Sequence, residues 1–166
     1  MSSQHLSLSG LDALVRGLAQ ASEFTHRELL GTMTQATLLV EREAKENTPK
    51  ATGMTAASIA SDAFSTPVGV IGTVGSSQPT LTFLELGTRP HMPPVEALEP
   101  WVRAVLGVEP KRARSVAYLV ARKIARKGTK AQRPLDKAIA ATEGQVLRMF
   151  EDAAGRVAAH LAGGAA

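Results

Sequence analysis

The chain has 166 residues and is mildly basic, with 19 Lys and Arg against 15 Asp and Glu; 44% of it is hydrophobic and only 4% aromatic. That length fits one domain, and the apolar content argues against wholesale disorder. The absence of cysteine removes disulfide scaffolds, thiol nucleophiles and Cys-ligated metal sites.

With so few aromatics, the core has to be built from Ala, Leu and Val, which favours close helix packing. The opening MSSQHLSLSG has neither the basic start nor the long apolar run of a secretory signal. No apolar run approaches the roughly 18 residues of a membrane span. A soluble, cytoplasmically made protein with no membrane contact is expected.

In chain order, Leu11, Leu14, Val15 and Leu18 recur at helical spacing, with Ser9 as N-cap. A second helix is expected from a cap at Ser22 or Thr25, with Leu30, Met33, Thr37, Val40 and Ala44 as its stripe down to Asn47. Gly31 weakens that helix by about 1 kcal/mol relative to alanine. Pro49 stops it, since its ring disfavours helical geometry in the residue before it. Residues 50–58 are turn-rich or mixed. Three β-prone runs follow, Ile59–Ser65, Val68–Gly75 and Thr80–Leu86, separated by Thr66-Pro67 and by Ser76-Ser77-Gln78-Pro79. This punctuation predicts an antiparallel meander over about 58–88. Gly69, Gly72 and Gly75 read as a twisted or bulged second strand. A phosphate loop is disfavoured because no Gly-Lys-Ser/Thr follows.

Gly87 is expected to end the third strand, and Pro90, Pro93 and Pro94 to hold the next stretch extended. Helices are predicted over Val95–Leu106, over 110–127 and from about Pro134 to Leu161. Proline opens the last two, and glycine closes the first two. The C-terminal GGAA should fray. The whole is an α+β chain read as one domain over 1–166. Helices at about 10–48 pack on a small antiparallel sheet, and a helical half follows at about 95–162.

No catalytic signature emerges. His5, His26, His91 and His160 never stand at i, i+3 or i+4 from one another, and no G-x-S-x-G or S-x-x-K occurs. Catalytic residues, cofactors and metals are therefore expected to be none. His26 and His160 read as solvated helix residues, and Glu41, Glu43 and Glu46 as a solvated face. Glu85 ends an apolar segment and needs a partner, which Arg89 or a neighbouring subunit could supply.

The charge is concentrated. Residues 1–100 hold 6 basic and 10 acidic side chains, 101–137 hold 11 and 2, and 138–166 hold 2 and 3. Lys111, Arg112, Arg114, Arg122, Lys123, Arg126 and Lys127 interleave with a core stripe of Val116, Leu119, Val120 and Ile124, and Lys130, Arg133 and Lys137 extend the patch. One reading is a solvated face tuned to the helix dipole. The other is a surface for phosphates or an acidic partner, formed by Arg122, Lys123, Arg126, Lys127, Lys130 and Arg133. No aromatics alternate with the cations, as a single-strand stacking platform requires.

Two segments together carry a resemblance. The first is Ala44-Lys45-Glu46-Asn47-Thr48-Pro49-Lys50-Ala51-Thr52-Gly53, closing with Ser58-Ile59, and the second is Phe83-Leu84-Glu85-Leu86-Gly87-Thr88 before a proline-rich stretch. Their order resembles the HK97-type tail-component family (gene product ten of that phage and its relatives). Those are small structural proteins of tail completion or head–tail joining. The matching positions are Pro49, Thr52, Gly53, Ser58, Glu85, Gly87 and Thr88, and the downstream Lys127-Gly128-Thr129 resembles one branch of the family. Met54-Thr55-Ala56-Ala57 and Pro93-Pro94-Val95-Glu96-Ala97-Leu98 depart from its pattern. The resemblance implies a virion protein of the neck or head-proximal tail, assembling as a homo-oligomeric ring. Its partners would be other neck and tail proteins: tail tube, terminator or head-completion proteins. The acidic N-terminal part and the basic segment would be complementary surfaces, or the basic patch would face DNA in the lumen. The alternative is a nucleic-acid-binding or regulatory protein that uses residues 110–137.

Overall fold

The computed structural model describes residues 11–49, 53–67 and 69–163, with side chains from Ser22 onward. The Ser9 cap, His5, the stripe of Leu11 to Leu18, Thr52 and the last three residues lie outside what is described. The element order is α1 (Leu11–Asn47), α2 (Met54–Ala57), β1 (Ile59–Thr66), β2 (Gly69–Ser76), α3 (Pro79–Leu86), α4 (Val95–Leu106), α5 (Pro110–Lys127) and α6 (Pro134–Gly163). This is an α+β fold: helices with one two-stranded sheet, β1 beside β2.

Two expectations are corrected here. The N-terminal helices are one, because Leu18-Ala19-Gln20-Ala21 are strong helix formers. A Ser or Thr caps only where the chain enters a helix, and neither Ser22 nor Thr25 follows such a break. The third strand is helix α3. Pro79 stands at its N1 position and Gly87 at its C-cap. That Pro-first, Gly-last asymmetry outweighs the β propensity of Thr80, Thr82 and Phe83. The meander is therefore a hairpin.

The contacts divide the chain into two compact units. One comprises residues up to Ala36, Ala63–Gly72 and Gly144 onward. There α1 and α6 run antiparallel. Phe24 stacks on His160 with ring centroids 3.9 Å apart. One turn along, Arg156 Nε donates to Glu28 Oε2 at 2.7 Å. His160 is exposed, as expected, but its ring lies on Phe24. The hairpin turn also belongs here, with Thr66 Oγ1 donating to the Gly69 carbonyl at 3.0 Å.

The second unit comprises Thr37–Asp62 and Thr73–Glu143. Its core joins Ala44 of α1, Ile59 of β1, Leu81 of α3 and Ala138 of α6, with Val40, Val74 and Leu135 against them. Buried alanines at 113, 117 and 121 and fully buried Val102 mark where α5 meets α4. Alanine at helical spacing lets helix backbones approach closely, and alanine fills more of the core than the expected mixture of Ala, Leu and Val, with Leu81 and Val102 its buried leucine and valine among the described residues. Within the stretch read as turn-rich or mixed, Met54–Ala57 forms the single turn α2. Gly53 opens it at φ 74°, a left-handed conformation that suits glycine.

Candidate interaction surface on α5 and the junction that anchors it

The surface lies wholly in the second unit, and its foundation is a junction between two helix ends. Helices α3 and α5 both finish on Gly-Thr. Gly87 N–H donates to Phe83 C=O at 2.9 Å, and Gly128 N–H to Ile124 C=O at 2.8 Å. The two threonines then pair as a one-step antiparallel bridge. Thr88 and Thr129 exchange both backbone hydrogen bonds at 3.1 Å, and their hydroxyls meet at 3.0 Å. The backbones are so close that a Cβ on Gly87 would lie 2.5 Å from Thr129 O, and one on Gly128 only 1.9 Å from Thr88 O. Both glycines also have positive φ, 72° and 66°. Only glycine fits at either place.

The same junction starts α6. Leu84 C=O accepts from the N–H groups of Gln132 and Arg133 at 2.7 and 3.2 Å. The Glu85 carboxylate accepts from the backbone N–H of Leu135 at 3.0 Å and of Asp136 at 3.1 Å. Arg133, which precedes Pro134 at φ 53°, has no acceptor in its side chain. The first-turn amides therefore take a carboxylate from 50 residues upstream. A negative charge there also complements the helix dipole. The expected partner of Glu85, Arg89 or another subunit, is corrected by this geometry. The missing signal was legible: Pro134 opens a helix behind Arg133, with no Ser, Thr, Asp or Asn to cap it.

The other motif residues sit at the entry to the hairpin. Pro49 follows the end of α1, Gly53 opens α2, and Ser58 Oγ donates to Thr55 C=O at 2.7 Å and meets Ser76 Oγ at 2.7 Å. Nearby, Glu41 of α1 accepts from Lys45 Nζ and from Ser61 Oγ of β1. These two donors, Lys45 first, hold its carboxyl below the ordinary carboxylate value. Glu41 was read as part of a solvated face; it is half-buried and ties helix to strand.

The junction fixes where α5 points its cations. Arg122, Lys123, Arg126 and Lys127 are exposed on the last two turns, and Lys130 and Arg133 are exposed on the turn that follows. Few of them are engaged. Arg126 Nε makes a long bond to Arg122 C=O at 3.4 Å, and Arg133 lies 3.9 Å from Asp136. Toward the other end Arg114 reaches Glu96 at 3.3 Å beside an open groove of about 690 Å³. Val95 and Lys111 also line the groove, as do Tyr118 and Leu119. Leu119, read as core, is 60% exposed, and Tyr118 is 48% exposed. The buried stripe consists of the alanines instead. The α5 surface is therefore cationic at both ends and apolar at its centre, suited to carboxylates or phosphates around a hydrophobic contact.

Among the described residues no group of His, Cys, Asp and Glu is placed to hold a metal ion, and no helix is long and apolar enough to cross a membrane. Compared with protein-family models, curated proteins and solved structures, the chain matches none.

Proposed function

We propose that the chain is a structural subunit of a tailed phage or prophage, a neck or tail-completion (head–tail joining) component that assembles into a ring. The observation that carries the reading is the use made of the motif residues. Glu85, Gly87 and Thr88 are spent on joining α3, α5 and α6, and Gly53 and Ser58 on entering the hairpin. These groups build a scaffold, and their bonds leave little for a substrate. The second unit also exposes large apolar side chains that a self-sufficient monomer normally covers. Phe83 is 55% and Leu86 75% exposed on α3, and Val105 and Leu106 are each 50% exposed on α4. Such surface is characteristic of interaction sites.

The test is negative-stain imaging and light scattering of the purified protein, alone and with a tail-tube partner, at low and high salt. Rings, or concentration-dependent assembly weakened by salt, are expected. A monomer insensitive to both conditions, with no affinity for tail proteins, overturns the reading.

The nucleic-acid reading rests on the exposed cations of α5. It predicts DNA affinity that falls steeply with salt. The expectation that no aromatic alternates with the cations is corrected here: Tyr118 stands exposed between Arg114 and Arg122. With Leu119 it makes a single apolar interruption in the middle of the helix, not a series of stacking rings, which favours a protein partner.

A further inference from the structure

Helix α5 carries seven cations and no carboxylate, an arrangement that works against its own stability at both ends. Lys111 and Arg112 fall in the first turn, where the helix dipole favours anions. Glu109, just before them, makes no side-chain cap. In the last two turns Arg122 repels Arg126, and Lys123 repels Lys127, at i, i+4 spacing. The dipole accounts for Arg126 and Lys127 alone.

The chain supplies little to offset this charge. In the same unit Glu41, Glu43, Glu85 and Asp136 are engaged with Lys45 and Ser61, with Asn47, with the α6 amides and with Arg133. Among the described residues Glu96 alone reaches α5, at Arg114. A second copy offers no better. Its exposed Glu46, Glu109 and Glu143 are single charges on separate segments, and Glu151 and Asp152 of the other unit stand between Arg148 and Arg156 on one helix.

The outward face of α5 has a definite order. Opposite the buried Ala113, Ala117 and Ala121 it presents Lys111, Ser115, Tyr118, Leu119, Arg122 and Arg126, all exposed. From Lys111 to Arg126 this face covers about 22 Å of helix axis. An apolar pair thus lies between cationic ends, and beside it opens the groove against Val95 of α4. Glu96 already faces Arg114 there, so the charge that lacks a carboxylate lies at Lys111 and at Arg122 and Arg126.

We propose that this face binds an acidic amphipathic helix of another protein. An apolar side chain of that helix enters the groove at Tyr118 and Leu119, and its carboxylates meet Lys111 at one end and Arg122 and Arg126 at the other. The inference rests on the reading of the chain as an assembly part and names the chemistry that one neighbour presents. The desolvated apolar centre supplies affinity, and the charged ends set register and association rate. Guanidinium suits such an end because its fork matches a carboxylate. A phosphate backbone offers nothing to Tyr118 and Leu119 together, so a protein fits the face better than a nucleic acid.

The test is a random peptide library about 16 residues long, the length of this face as a helix, displayed on beads and selected against the full chain. Selected sequences should carry an apolar residue and carboxylates on one helical face, and the synthetic peptides should gain helicity on binding. Their affinity, read by fluorescence anisotropy, should fall about tenfold or more in Arg122→Glu with Arg126→Glu, and likewise in Tyr118→Ala with Leu119→Ala. All four positions are exposed, and circular dichroism and thermal melting check that each variant folds as the parent does. Peptides with lysine in place of glutamate should prefer the charge-reversed variant to the parent. Without any peptide, Lys111→Glu should raise the melting temperature, because it replaces a first-turn cation with an anion.

Selected peptides that lack carboxylates, or that bind both variants like the parent, overturn the docking. An unchanged or lower melting temperature in Lys111→Glu overturns the premise of uncompensated charge, and the proposal with it. Duplex DNA that binds more tightly than any selected peptide at physiological salt, and is lost in the charge-reversed variant but not in the apolar one, assigns the face to nucleic acid and overturns the docking. Rings that form while no peptide is selected overturn the docking and leave the assembly reading intact. Acidic peptides selected on a chain that never assembles overturn the ring and leave the docking in place.

Discussion

Gly87 and Gly128 are adjacent in space because each is the residue at which a helix must stop and let another backbone pass. An alanine at either meets positive φ and a carbonyl oxygen closer than any real Cβ contact. Gly87→Ala and Gly128→Ala are each expected to cost about 2–4 kcal/mol, combining backbone strain and overpacking. Gly107 has a similar φ, 63°, but open space around it. Gly107→Ala should lose only about 1 kcal/mol from strain alone. Chemical denaturation of the three variants separates close approach from conformation, and equal losses would remove the junction from the account. Glu41 offers a second prediction at this scale. Its carboxyl is held below the ordinary 4.5 by Lys45 and Ser61, so the folded state binds the proton less readily than the unfolded chain. The stability this contributes is complete above about pH 4.5 and is lost as pH falls through the lowered value. Melting temperature measured from pH 6 downward should fall less steeply in Glu41→Gln than in the parent, and parallel curves would refute the linkage.

At the scale of elements, α4 and α5 begin and end, and α6 begins, where proline and glycine said they would, because those residues act through their own backbone. Helix α3 shows the limit of local reading. Its Thr, Leu and Phe content favours a strand, yet Pro79 and Gly87 delimit eight residues whose one buried side chain is Leu81. As a helix the segment places Leu81 in the core and Glu85 at the start of α6. The start of α6 is correspondingly the element most dependent on a distant residue. Glu85→Ala should remove both acceptors from the Leu135 and Asp136 amides and cost about 1–2 kcal/mol. Hydrogen exchange should accelerate at these two amides before it does elsewhere in α6. Retained protection there would mean that the cap contributes nothing.

For the whole molecule, the basic segment stays on the surface. The cations of 101–137 fall mainly on exposed turns of α5 and the bend after it, whereas α6 mixes exposed Asp136, Glu143, Glu151 and Asp152 with exposed Lys137, Arg148 and Arg156. Among the described residues of the second unit, the largest fully buried side chains are Ile59, Val102, Thr48 and Pro134, while Phe83, Leu86 and Leu119 remain more than half exposed. A core assembled from alanines closes helices tightly but buries little apolar area per residue, so larger side chains are left on the surface. The proposed assembly role draws on the exposed apolar and cationic groups that these helices share, so oligomeric state is the first measurement and nucleic-acid affinity the second.

The sequence by itself determined the α+β class, a core of small aliphatic side chains, the boundaries of α4 and α5, the start of α6, the first two strands and the location of the basic segment. These follow from helical spacing, strand punctuation, and the backbone restrictions of proline and glycine, all of which act over a few residues. Tertiary structure alone decided three other things: that Leu11–Asn47 is one helix, that Pro79–Leu86 is a helix, and that Glu85 caps α6. It also decided that Gly87-Thr88 meets Gly128-Thr129 across 41 positions. Each depends on which distant groups a segment meets. Backbone amides at a helix start need an acceptor from wherever the fold can supply one, and no local pattern names the donor of that carboxylate.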